Sequence, residues 1–337
     1  MKLVFKKIIA VAKEEKVDLM LICGDLYEHG YVRKSTIDFI CDEFKKISET
    51  KVIIIPGNHD PWSANSFHNS TRWPDNVHIL FGDNPVFELK DAGVCIHGSL
   101  NGNTSIDPSK INLLMLHGTL DMSFNKSGFN PISSEKLESY GMDYIALGHF
   151  HSKFTGGGIQ KNIYNPGSPE PLGFDEEGEH GVFLAAIYKE HSHDRQTDVR
   201  FIPLNTRSYR NINISLYGCS TDEQAVQKAE ETMAAAGGIE DLYRIVLKGT
   251  TARDFRIDAS SVAACLKDKA FFIKVKDETA PDWHFDEIMR EPGLRGLYVK
   301  KMLERAQAAR DEEEKQTVMQ ALYFGIQALD QGEVYVY

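Results

Sequence analysis

The chain has 337 residues, 42% of them hydrophobic and 26% charged, with a formal net charge of −11. That length supports one large domain with one or two smaller ones, and the ordinary composition, with no low-complexity tract or internal repeat, describes a soluble globular protein. The acidic balance argues against a protein that coats nucleic acid unaided, so a nucleic-acid contact would be a local patch or shared with a partner.

No apolar run is long enough to span a bilayer. Met1-Lys2-Leu3-Val4-Phe5 with Lys6 and Lys7 opens like a signal peptide, but Lys13-Glu14-Glu15 interrupts the apolar stretch and no small-residue cleavage site follows. The five cysteines (Cys23, Cys41, Cys95, Cys219, Cys265) are scattered and form no C-x-x-C pair, which points to reduced thiols and a cytoplasmic protein.

In chain order, residues 3–15 read as an amphipathic helix through Leu3, Phe5, Ile8, Ile9 and Ala12. Asp18–Cys23 reads as a buried strand ending in Gly24-Asp25. A helix over about 33–48 leads to a second buried strand, Val52-Ile53-Ile54-Ile55-Pro56, which runs into Gly57-Asn58-His59-Asp60. Uninterrupted β-branched runs of this kind belong to parallel strands covered on both faces, joined by right-handed crossovers. Their carboxyl ends are where open α/β sheets place their chemistry.

From about residue 77 strands follow in closer succession: His78–Phe81, Val86–Leu89, Val94–His97, Ile111–Leu116, Tyr144–Leu147, Asn162–Tyr164, Val182–Tyr188 and Val199–Leu204. Ile111–Leu116 runs into His117-Gly118, and Tyr144–Leu147 into Gly148-His149-Phe150-His151. A small α+β unit is expected next, with strand 209–217, helix 221–236 stopped by Gly237-Gly238, strand 242–249, a short helix at 259–267 and strand 270–276. Residues 285–330 read as two helices, with Leu294, Leu297, Met302 and Leu303 as the apolar positions of the first and Val318, Leu322, Ile326 and Leu329 of the second.

The polar residues just past strand ends are Asp25, Asn58, His59, His117, His149 and His151. A single histidine is more often structural than a ligand. This set, lined up on one sheet edge, is the donor composition of a mixed oxygen–nitrogen metal site suited to manganese, iron or zinc, and the lack of cysteine donors argues against structural zinc. His149 and His151, one residue apart, can aim at one side, each toward a different ion.

Gly24-Asp25, Gly57-Asn58-His59-Asp60, His117-Gly118 and Gly148-His149-Phe150-His151, in this order, resemble the calcineurin-like metallophosphoesterase superfamily. Asn165-Pro166-Gly167-Ser168, Gly173-Phe174-Asp175-Glu176 and Gly178-Glu179-His180-Gly181 look like the SbcD-type DNA-repair exonucleases within it. The resemblance implies a four-layer α-β-β-α sandwich over 1–205, a capping domain over 206–280 and a C-terminal helical region over 281–337. It further implies two divalent ions, manganese in the nucleases. Asp25 would bridge them, Asn58, His117 and His149 would complete one, and His151 would serve the other. His59 would protonate the departing 3′ oxygen, with Asp60 a candidate to orient its ring. The implied activity is a 3′–5′ exonuclease, with single-strand endonuclease activity, acting on DNA with an SbcC-type coiled-coil ATPase docked at the C-terminal helices; a homodimer is an open alternative. A small-molecule phosphoesterase and a scaffold that only docks the ATPase are the competing readings.

One departure stands out. The superfamily's first motif, an Asp-x-His on the first strand, precedes the bridging Asp by some tens of residues, and no Asp-x-His precedes Asp25 here. Asp282-Trp283-His284 is the only such triplet and reads as a coincidence. An incomplete N-terminus, a relative that lost its first metal and a strand supplied by a partner are the three explanations, the first being favoured. If the strand is missing, a core slot should stand open beside Leu19–Cys23, leaving apolar surface and unpaired backbone. His29, Arg33, Lys34, Arg72 and Lys153 flank the motifs and read as solvated surface charge. Glu28 occupies the place where some relatives carry a histidine, which puts a role for His29 in doubt.

Overall fold

The computed structural model describes every residue except 100–105, 122–130, 157–161, 192–193, 253–254 and 332–337. It opens with α1 (Lys2–Glu14), β1 (Leu19–Cys23), α2 (Lys34–Lys45), β2 (Lys51–Ile55), α3 (Phe67–Ser70) and β3 (Val77–Ile79). There follow β4 (Val86–Leu89), β5 (Val94–His97), β6 (Ile111–His117), β7 (Thr119–Leu120), β8 (Pro131–Ile132), α4 (Ser134–Glu138), β9 (Tyr144–Gly148), β10 (Phe154–Thr155) and β11 (Ile163–Asn165). A long hairpin, β12 (Gly181–His191) with β13 (Asp194–Pro203), closes the first compact unit, Met1–Ser208.

Alternating residues of single strands sort this unit into layers. On β2, Val52 and Ile54 face α1 and α2, packing with Ile9, Ile37 and Phe44. Ile53 and Ile55 face the other way, onto Ile96, Leu113, Met115 and Ala146. On the second sheet, Leu113 and Met115 share that inter-sheet core, whereas Leu114, Ile145 and Leu147 pack outward with Leu137 and Met142 beside α4. The period-2 geometry of strands thus yields helix, sheet, sheet and helix, the four-layer α/β sandwich expected from the sequence.

The first sheet has the order β1-β2-β3 and the second β10-β11-β9-β6-β5-β4, while β12 and β13 form a two-stranded sheet of their own among the described residues. Between the outer edge of β1 and β12 lies a cavity of about 770 Å³, walled by Leu19–Leu26 and Gly181–Tyr188, by α1 through Val4, Phe5 and Ile8, and by Leu113, Tyr144 and Tyr164 of the second sheet. The slot beside Leu19–Cys23 is therefore open.

The second unit, Tyr209–Tyr337, contains β14 (Tyr209–Ser215), α5 (Asp222–Ala236), β15 (Leu242–Thr251), α6 (Ala259–Leu266), β16 (Phe272–Pro281), α7 (Phe285–Ile288), α8 (Leu294–Gln307) and α9 (Glu312–Gln331). The order β14-β15-β16 is parallel throughout, with α5 and α6 as crossovers. Its core gathers Ile214, Tyr243, Ile245, Leu247 and Val262, and a separate cluster of Trp283, Val299, Leu322 and Ile326 holds the helices. Asp282-Trp283-His284 serves packing and a turn: Trp283 is buried, and Asp282 accepts the His284 N–H at 3.0 Å.

Candidate metal centre

Parallel pairing in register brings the sequence motifs to one rim. Cys23 pairs with Ile55 in the first sheet and His117 with Gly148 in the second, so Gly24-Asp25 and Gly57-Asn58-His59-Asp60 follow the carboxyl ends of the first sheet's strands, and His117 and Gly148-His149 lie at those of the second. The approach is tight enough to demand glycine. A Cβ on Gly57 would fall on the Asp25 carboxylate and amide, and one on Gly148 on the Cys23 carbonyl. Asp25 and His149 themselves hold positive φ, +55° and +91°. Left-handed backbone at a non-glycine residue is strained, and strain of this kind gathers at functional sites.

Asp25, His117 and His149 each place one ligand atom within 4.8 Å of the others'. Asn58 Oδ1 lies 2.8 Å from His117 Nε2 and 3.0 Å from His149 Nδ1, and Asp25 Oδ2 lies 3.2 Å from His117 Nε2. His117 Nδ1–H donates to the Cys23 carbonyl at 2.7 Å, so in the neutral ring Nε2 carries only a lone pair. A carboxylate oxygen, an amide oxygen and a bare imidazole nitrogen then converge, and a cation, either a proton or a metal ion, is what relieves such a gathering of lone pairs. Burial alone would raise the Asp25 pKa, but hydrogen bonds from His117 and the His59 N–H, with the nearby imidazole charges, hold it below the ordinary carboxylate range. For His117 burial works downward and is outweighed by Asp25 and the Cys23 carbonyl, so its pKa is raised. His149 is pushed down, by burial and then by His117. Oxygen and imidazole donors with no thiolate fit a divalent ion such as manganese.

The family model for calcineurin-like phosphoesterases matches residues 2–153. This stretch is a calcineurin-like metallophosphoesterase domain. The chain is 26% identical over 200 residues to the metallophosphoesterase YhaO of Bacillus subtilis, covering 54% of this chain and 48% of that protein. It is 25% identical over 183 residues to the SbcD subunit of the SbcCD nuclease of Staphylococcus epidermidis, covering 42% and 48%. To the DNA double-strand break repair protein Mre11 of Methanopyrus kandleri it is 24% identical, covering 85% of this chain and 70% of that one. The chain spans about half the length of YhaO and of the SbcD protein. Metallophosphoesterases are hydrolases that use divalent metals, and no described helix is long and apolar enough to cross a membrane.

Within the phosphoesterase domain Asp60 is placed otherwise than expected. It does not reach the His59 ring. Its carboxylate is fully buried and accepts the N–H groups of Asp25 (2.9 Å), Leu26 (2.9 Å) and Gly57 (2.7 Å), with His68 Nε2 at 3.0 Å. It thus ties the loops after β1 and β2 together, while Glu28 holds the ring: His59 Nδ1–H donates to Glu28 Oε2 at 2.6 Å. A carboxylate in the loop after β1 was the available signal for Glu28. Nothing in the local pattern around His68 marks it.

His151 stands outside the Asp25–His117–His149 group, and its ring is held by Glu176 at 2.7 Å. Arg33, Lys34, Arg72 and Lys153 are exposed. Lys34 pairs with Asp38, and Lys153 lies over the Phe201 ring, as surface charge does. His29 is pinned through its backbone N–H to the His59 carbonyl.

Proposed function

We propose that this chain is a metal-dependent phosphodiesterase acting on DNA, a 3′–5′ exonuclease of the SbcD type with single-strand endonuclease activity. The observation that carries the reading is the convergence of Asp25 Oδ2, Asn58 Oδ1, His117 Nε2 and His149 Nδ1 beside a His59 ring held at Nδ1. Asp25, Asn58, His117 and His149 would hold one ion and His151 would contribute to a second. A divalent cation held by these residues would lower the pKa of bound water and neutralise charge on the phosphate. Asp25 keeps its acceptor geometry through the His59 N–H on Oδ1, at 2.8 Å. With Nδ1–H donated to Glu28, the imidazolium form of His59 carries its second proton on Nε2, and that proton would pass to the 3′ oxygen as the P–O3′ bond breaks and a water oxygen bonds to phosphorus, leaving a neutral ring. No serine or cysteine nucleophile is needed.

DNA as substrate is supported by relatives named as the SbcCD nuclease and the double-strand break repair protein Mre11. Docking of an SbcC-type ATPase is supported by α8, whose Leu294 and Leu297 are exposed at 69% and 55% although they belong to its apolar positions. A cytoplasmic location fits the free cysteines among the described residues.

The deciding experiment is digestion of linear double-stranded DNA and hydrolysis of bis-nitrophenyl phosphate by the full chain, with and without manganese. The expected outcome is manganese-dependent release of nucleotides from 3′ ends, abolished in Asp25→Ala. His59→Ala should slow DNA cleavage by about 10²–10⁴-fold and spare the nitrophenyl diester, whose leaving group needs no proton. Hydrolysis of the dye alone would point to a small-molecule phosphoesterase. Hydrolysis of neither would leave the scaffold reading.

A further inference from the structure

Asn165–Ser168 and Gly173–Gly181 carry a resemblance but no chemistry in the reading above. In the fold they converge on one residue. Glu176 is 7% exposed, and both its oxygens are engaged: Oε1 accepts His151 Nδ1–H at 2.7 Å, and Oε2 accepts Ser168 Oγ–H at 2.9 Å and the Leu172 N–H at 3.1 Å. His180, 3% exposed, lies beneath, its ring nitrogens against the carbonyls of Ser168 (2.7 Å) and Glu176 (3.1 Å). The His151 backbone is gripped as well. Ser168 N–H donates to its carbonyl at 2.9 Å, and Asn165 Nδ2 donates to the carbonyls on either side, Phe150 at 3.0 Å and Ser152 at 2.9 Å.

The asymmetry is informative. The His151 side chain is 52% exposed while its carboxylate partner is 8% exposed. A half-solvated ion pair adds little to stability, and burying a carboxylate to hold a surface ring is unfavourable unless the ring's orientation matters. With Nδ1 donating inward, the neutral ring has its lone pair on Nε2.

We propose that Glu176 is a positioning residue: the 165–181 segment is a holder that fixes His151 in the Nδ1–H tautomer, so that Nε2 is committed to a divalent cation. A buried carboxylate behind a histidine fixes its tautomer and the orientation of its ring as a ligand. This rests on the metallophosphoesterase reading and adds to it the side chains that orient the second ion's ligand.

The test uses the full 337-residue chain, with manganese alone as titrant in calorimetry, and ring-nitrogen NMR of His151 in metal-free protein at mildly alkaline pH. Wild-type protein should show the Nδ1–H tautomer. Glu176→Ala should mix the tautomers and weaken manganese at the His151 site by about 10–100-fold, leaving the Asp25–Asn58–His117–His149 site unchanged. Glu176→Gln, which retains an acceptor for Nδ1–H, should keep the tautomer and part of the affinity. Wild-type affinity in Glu176→Ala, or an Nε2–H ring in the wild type, overturns the proposal while leaving the metal centre standing. The tautomer of the unmutated protein decides even if the alanine variant fails to fold. A wild-type chain that binds no manganese overturns the parent reading together with this one.

Discussion

Asp60 braces the loops of the candidate centre through backbone groups. Its buried carboxylate collects three backbone N–H groups from the two loops that carry Asp25 and Asn58, with His68 as a fourth partner. In Asp60→Asn an amide NH₂ replaces one acceptor oxygen and faces donors, and each buried group left unsatisfied costs about 1–3 kcal/mol. The expected result is a lower melting temperature and lost manganese binding, whereas His59→Ala, at a half-exposed ring, should keep both. Calorimetric titration and thermal unfolding of the two variants separate these outcomes, and an Asp60→Asn protein as stable as wild type would remove Asp60 from this role. Gly57 makes the complementary case. An added Cβ meets the Asp25 carboxylate and amide, so Gly57→Ala should lose manganese as completely as Asp25→Ala, read by the same titration.

At the scale of elements, much of this was legible in the sequence because buried parallel strands are written as apolar runs. Val52–Ile55 and Leu113–Met115 announced themselves, and the polar residues past their ends marked the rim before any pairing was known. Boundaries slipped where the chain was polar or short. The strand expected at His78–Phe81 is Val77–Ile79, with Phe81 bridging Asn84 instead, and the first of the two C-terminal helices is broken by Met289–Gly293 into α7 and α8. The contacts of Asp60 with Asp25 and Leu26, and of His59 with Glu28, were out of reach because they are set by loop conformation across more than thirty residues, and no periodicity encodes them. Among the described residues no strand pairs with the outer edge of β1, as the sequence led one to expect, and the consequence can be measured. An apolar cavity of about 770 Å³ beside that edge should bind the dye ANS under native conditions. Ala185 lines the cavity, so Ala185→Leu should reduce the dye signal and raise the melting temperature. A native chain that leaves ANS dark would mean that the slot is closed in solution.

For the whole molecule the decisive fact is that every residue of the centre lies in Met1–Ser208, while Tyr209–Tyr337 has its own sheet core and helix cluster. The candidate metal centre therefore lies wholly in the first unit, and under the proposed function the second is left to bear on the substrate. A net charge of −11 makes that separation consequential, since a polyanion is repelled by the chain as a whole and must be admitted by local contacts. Residues 1–208 produced alone should bind manganese and hydrolyse bis-nitrophenyl phosphate as the full chain does, because a small diester needs only the rim of the two sheets. Their digestion of DNA should fall, because a long substrate needs surfaces beyond that rim. Comparing the two substrates across the truncated and full chains checks this. Equal loss on both would tie the second unit to the integrity of the metal centre, and no loss on either would confine DNA handling to the phosphoesterase domain.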